Sequence, residues 1–167
     1  MNFFQGDREA VNNRQRMVRP ARPPLESFLR RAKNELGLEK ASLTVCLVSD
    51  AEIARMNERF RKKKGLTDVL SFPAVARRKP RRPASPTRSG QAPGGPYGAG
   101  AGEYLGDIAI SPSTARRYAK KNGRKLGDEI RVLMLHGVLH LLGYDHETDR
   151  GEMDRVERKL RKRFGLA

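Results

Sequence analysis

Two kinds of apolar pattern alternate along this chain. Leu25, Phe28, Leu29, Ala32 and Leu36 fall at helical spacing, and Gly37 follows as a stop signal. "SLTVCLVS" is a solid apolar run that reads as a buried strand. "SDAEIARMNERF" opens with Ser49 and Glu52 three apart, the spacing of a capping box, and predicts a second helix. "TDVLSFP" is a short strand closed by Pro73, and "YLGDIAIS", from Tyr104, is another. The latter runs into a basic helix, "SPSTARRYAKKNG", ended by Gly123. In "LGDEIRVLMLHGVLHLLG" an apolar stripe passes through Ile130, Leu133, Met134, Val138 and Leu141 and stops at Gly143. A last helix places Met153, Val156, Leu160 and Phe164 on one face.

Two stretches fall outside this pattern. Residues 1–23 are polar and arginine-bearing and close with "RPARPP", which favours extended backbone, so they are expected to form a flexible basic N-terminal arm ahead of a domain spanning 24–167. Residues 77–102 hold six Gly, five Pro and six basic side chains among 26 residues, with no acid. So little apolar surface does not offset chain entropy, and disorder is expected. Because this Pro/Gly/Arg-rich segment interrupts a strand-to-strand passage, it reads as a loop insertion within one domain.

A length of 167 residues suits one ordinary domain with its own core. Lys and Arg number 35 against 19 Asp and Glu, a formal net charge of +16. Such an imbalance sets the compact state against its own repulsion and points to a polyanionic partner, nucleic acid first. No long apolar run or basic amphipathic anchor supports a membrane partner. The N-terminus lacks the apolar core and cleavage site of a secretory signal. Cys46, the single cysteine, sits in an apolar run, so no internal disulfide forms and a reducing, cytoplasmic location follows.

The candidate chemistry lies in "LHGVLHLLGYDH", which contains all three histidines of the chain, His136, His140 and His146. Residues four apart share a helix face, so His136 and His140 point together. Gly143 ends the helix and lets His146 swing back toward them. Three imidazoles without a thiolate suit one zinc per chain and leave a coordination position open, the arrangement of a catalytic rather than a structural site. The spacing also fits H-E-x-x-H-x-x-G-x-x-H metalloproteases, except that Gly137 stands where their glutamate would be. The usual peptide-hydrolysis machinery is therefore incomplete.

"HGVLHLLGYDH" resembles the hallmark motif of the YbeY endoribonucleases, bacterial rRNA maturation factors. "MNERFRKKKGLTDVLSFP", "YLGDIAIS" and "EMDRVE" resemble further blocks of that family. The resemblance covers roughly residues 25–73 and 104–166. It implies a single α+β domain with a mixed sheet of about four strands packed with several helices. It also implies a three-histidine metal site at His136, His140 and His146, taken to be zinc, and a catalytic arginine at Arg61, after Phe60. The implied function is single-strand-selective, metal-dependent RNA cleavage in ribosomal RNA maturation, including 16S rRNA 3′-end processing, and in ribosome quality control. The implied partners are ribosomal RNA and the small ribosomal subunit, with a ribosome-assembly GTPase or ribosomal proteins beside them, and no small-molecule cofactor. Two positions depart from the family: Lys62 replaces a usual Gly after the arginine, and Leu66 a usual Pro before the Thr-Asp pair.

A planar guanidinium at Arg61 would match phosphate oxygens. Lys62 to Lys64, Arg116, Arg117, Lys120 and Lys121 would hold RNA through its phosphates without reading sequence. Asp145 could orient a histidine or cap the turn after Gly143, and Asp68 and Asp107 could hold strand-end loops. Two other readings stay open: a non-catalytic RNA-binding assembly factor, and a zinc hydrolase with a non-RNA substrate.

Overall fold

Every helix and strand expected from the apolar pattern is present, joined by one strand that the pattern does not mark. The computed structural model describes residues 11–74 and 102–166. In chain order the elements are β1 (Val11–Asn13), α1 (Arg22–Glu35), β2 (Ser42–Leu47), α2 (Asp50–Arg61), β3 (Val69–Pro73), β4 (Tyr104–Ile110), α3 (Pro112–Lys121), α4 (Leu126–Leu141) and α5 (Glu152–Arg163). The result is an α+β domain with a mixed sheet of order β1-β2-β4-β3. β1 and β4 run parallel to β2, and β3 runs antiparallel to β4.

Alternation along the central strands divides the core. Val45 and Leu47 of β2 and Ile108 and Ile110 of β4 face the larger layer, built on α1, α4 and α5. Cys46 and Ala109, one residue out of phase, face Ile53 of α2 with Leu70 and Phe72 of β3. α4 belongs to the larger layer, where Met134, Leu135, Val138 and Leu139 are all fully buried. Its position against the sheet is therefore set by the core, and the histidines it carries inherit that rigidity.

The expected N-terminal arm needs correction within the described residues. Val11 is fully buried, and residues 11–13 pair with Val45 to Leu47 of β2. Gln15 is buried as well, its side chain accepting from the Val18 amide at 2.9 Å. Residues 11–23 thus belong to the domain. A three-residue edge strand, bound mainly through its backbone, carries no apolar alternation to reveal it. "RPP" also opens α1 instead of staying extended, because the first helical turn needs no amide from proline. Residues 1–10 and all of the expected 77–102 insertion except Gly102 lie outside the described residues.

Candidate metal centre and arginine cleft

The histidines are brought together by a helix end. α4 closes with the Gly143 amide donating to the His140 carbonyl at 2.9 Å and the Tyr144 amide to that of Leu139 at 3.1 Å, the paired bonds of a Schellman cap. Gly143 supplies the positive φ, +94°, that this cap requires. Tyr144 is then buried, and the chain returns with His146 over the helix. One ligand atom from each of His136, His140 and His146 lies within 4.8 Å of the others. His136 Nε2 and His140 Nε2 are 3.1 Å apart.

The electrostatics suit a cation. Burial and the neighbouring His136 and His146 rings push the His140 pKa down to about 4, so its imidazole is neutral and free to donate a lone pair. Glu157 of α5 is buried, and its Oε2 lies 2.9 Å from His136 Nδ1. Burial alone would raise the Glu157 carboxyl, but its bonds to His136 and Arg161 outweigh this and hold it below the ordinary value. Three converging imidazole nitrogens with a carboxylate behind one of them form a donor set that fits a divalent transition metal such as zinc. Cys46 takes no part: it is fully buried in β2, and burial raises its thiol to about 12.

The histidines open into a cleft of about 740 Å³, walled by residues 67–73 along β3, by the 143–147 turn, and by Phe60 and Arg61 at the end of α2. Arg61 thus lines the same cleft as the histidines. Its Nη2 donates to Glu147 Oε1 at 3.0 Å, and Lys63 Nζ lies 3.5 Å from the same oxygen. Asp145 caps the turn, accepting from the Glu147 amide at 3.0 Å and the Thr148 hydroxyl at 3.1 Å. Asp68 lines the cleft and ties β3 to β4 through its carbonyl, which accepts from the Ser111 amide. Asp107 is buried and accepts from the Tyr104 hydroxyl. Among the basic residues of α3, Arg117 is already held by Asp50 at 3.1 Å, whereas Arg116, Lys120 and Lys121 are exposed.

Gly137 explains the glutamate missing after the first histidine. A Cβ built there would lie 2.7 Å from Ile108 Cγ2, so position 137 faces β4 and not the cleft. The Gly137 carbonyl accepts from Ser71 Oγ at 3.3 Å, drawing α4 and β3 together. The missing side chain allows the close approach of helix and sheet. Lys62, one of the two departures from the family pattern, caps α2 with a left-handed φ of +57°, a conformation that favours glycine.

A family model described as Endoribonuclease YbeY matches residues 9–165. The chain belongs to this family. A YbeY endoribonuclease from Solibacter usitatus is 42% identical over 145 residues, covering 87% of this chain and 80% of that protein. Another, from Aquifex aeolicus, is 37% identical over 156 residues, covering 93% and 88%. The fold is shared with a solution structure from Thermotoga maritima, with a TM-score of 0.52 and 23% identity over 89% of this chain and 85% of that one. The YbeY match includes β1, in keeping with its place in the sheet.

Two contributors lay beyond sequence reasoning. Glu147 sits directly after a histidine, but only the fold brings Arg61 and Lys63 to it. Glu157 lies in "EMDRVE", and its partner His136 stands 21 residues away, beyond any short-range pattern.

Proposed function

We propose that this protein is a metal-dependent endoribonuclease that cleaves single-stranded RNA during ribosomal RNA maturation. The observation that carries the reading is the cleft lined by Arg61 in which His136, His140 and His146 converge, in a chain of the YbeY family. His136, His140 and His146 would hold one zinc ion. Bound there, the ion would supply Lewis-acid polarisation of a phosphoryl oxygen or activation of a water. Arg61 would place its guanidinium fork on the phosphoryl oxygens as charge grows on them. For that it leaves Glu147, an exposed ion pair of the kind worth only about 0–1 kcal/mol. Lys63, sharing the same carboxylate, is released with it and adds positive charge at the mouth.

The finer reading follows the family resemblance: 16S rRNA 3′-end processing and ribosome quality control in the cytoplasm. The small ribosomal subunit would be the partner, with a ribosome-assembly GTPase or ribosomal proteins. No helix among the described residues is long and apolar enough to cross a membrane.

The test compares wild type with His140→Ala on single-stranded and duplex RNA, with metal content measured on the same preparations. About one zinc per chain, cleavage of single-stranded RNA, and loss of both with retained RNA binding in the variant are expected. Equal cleavage by the two proteins would overturn the reading. RNA binding without cleavage by zinc-loaded wild type would favour an assembly factor.

A further inference from the structure

The side of His136 turned away from the cleft meets a buried acid. We propose that Glu157 is a positioning residue of the histidine centre, fixing the His136 ring so that Nε2 is the nitrogen offered to the metal. This inference rests on the reading of His136, His140 and His146 as metal ligands.

Glu157 is only 6% exposed, and a carboxylate taken so far out of water is costly unless both oxygens are engaged. They are. Oε2 lies 2.9 Å from His136 Nδ1, and Oε1 accepts from the Arg161 guanidinium one helical turn further along. With Oε1 taken by the Arg161 guanidinium, Oε2 is left to accept a hydrogen from Nδ1, and a nitrogen that donates there leaves Nε2 as the ring atom able to offer a lone pair. Nε2 is the atom that lies 3.1 Å from His140 Nε2, on the side of the cluster. The chemistry of the pair thus selects one tautomer and one ring orientation.

The acid is itself held in place. Asp149 accepts from the amides of Gly151, Glu152 and Met153 and so fixes the start of α5. Met153 and Leu160 bury the helix against the core on either side of Glu157. Arg161, bound to Oε1, keeps the carboxylate from turning away from the ring. Stability alone is a weak reason for this arrangement, because a buried ion pair often gains nothing over apolar residues of similar size. Directing Nδ1 gives the buried acid a function that an apolar residue could not serve.

The decisive measurement uses the full chain, stripped of metal and titrated with zinc against a competing chromophoric chelator, together with the visible absorption spectrum of the cobalt-loaded protein. Glu157→Leu should weaken zinc binding by about 10–100-fold and shift the cobalt bands. Glu157→Gln, which keeps an oxygen to accept from Nδ1, should recover most of the affinity. The combined Glu157→Leu, Arg161→Leu protein also removes the half-buried cation left without its carboxylate, and it should bind zinc as weakly as the single variant. Wild-type affinity and spectrum in the combined variant, with binding lost in His140→Ala, would overturn the role of Glu157 and leave the metal centre standing. Failure of wild type itself to bind zinc would overturn the centre.

Discussion

The two walls of the cleft are built differently. The histidine wall stands on α4, a helix packed into the core, and ends in a glycine cap that returns His146. Behind it, a buried carboxylate holds one of the rings. The arginine wall stands at the C-terminal end of α2, where Arg61 is 41% exposed at its side chain and pairs with Glu147, itself 53% exposed. One wall is preorganised by the core, and the other is held by an exposed ion pair. On the function proposed above, that difference would suit fixed ligand geometry on one side and a charge clamp free to move onto phosphate on the other.

The sharpest way to break this comparison is to injure each wall in turn. His140→Ala should remove metal and lower turnover by at least roughly 10²–10³-fold, read by metal analysis and single-turnover cleavage. Arg61→Lys should lower turnover less, by roughly tenfold or more, with metal content unchanged, because it keeps the charge and loses only the fork. Its unfolding free energy should stay within about 0.5 kcal/mol of wild type, as suits an exposed position. Equal losses of metal in the two variants would erase the distinction between the walls.

Gly137 tests how closely the histidine wall is fitted. Gly137→Glu restores the residue of a peptidase motif, yet its side chain would press on Ile108 and not enter the cleft. Stability should fall by about 3 kcal/mol in denaturant unfolding, with no peptide hydrolysis gained. Gly137→Ala should cost about 1 kcal/mol, overpacking partly offset by better helix propensity.

Acid should strike the same wall in the metal-free protein. His140 has its pKa lowered from 6.5 to about 4 on folding, so the unfolded chain takes up a proton before the folded one does. Its contribution is intact above pH 6.5 and is lost as pH falls toward about 4. Thermal unfolding across that window should show the decline, and His140→Ala should flatten it. On the other wall, Lys62→Gly relieves a left-handed lysine and should raise stability by about 1 kcal/mol in denaturant unfolding, leaving metal binding untouched.

What the sequence determined by itself is what short range encodes. The capping serine before α2 is legible because Ser49 and Glu52 are three residues apart, and its hydroxyl accepts the Glu52 amide at 3.2 Å. The histidine triad is legible for the same reason, since one helical repeat and one glycine turn carry all three rings. Family resemblance added Arg61 and the α+β architecture. Only the tertiary structure decided the rest. β1 escapes notice because its register lies in backbone bonds to β2 that no side-chain pattern marks. Glu157 reaches His136 across 21 residues, and Arg61 reaches Glu147 across 86, distances over which only packing, not periodicity, selects partners. Gly137 reads in the sequence as a lost catalytic acid and in the structure as the point where α4 meets Ile108, because contact between helix and sheet is a property of the fold.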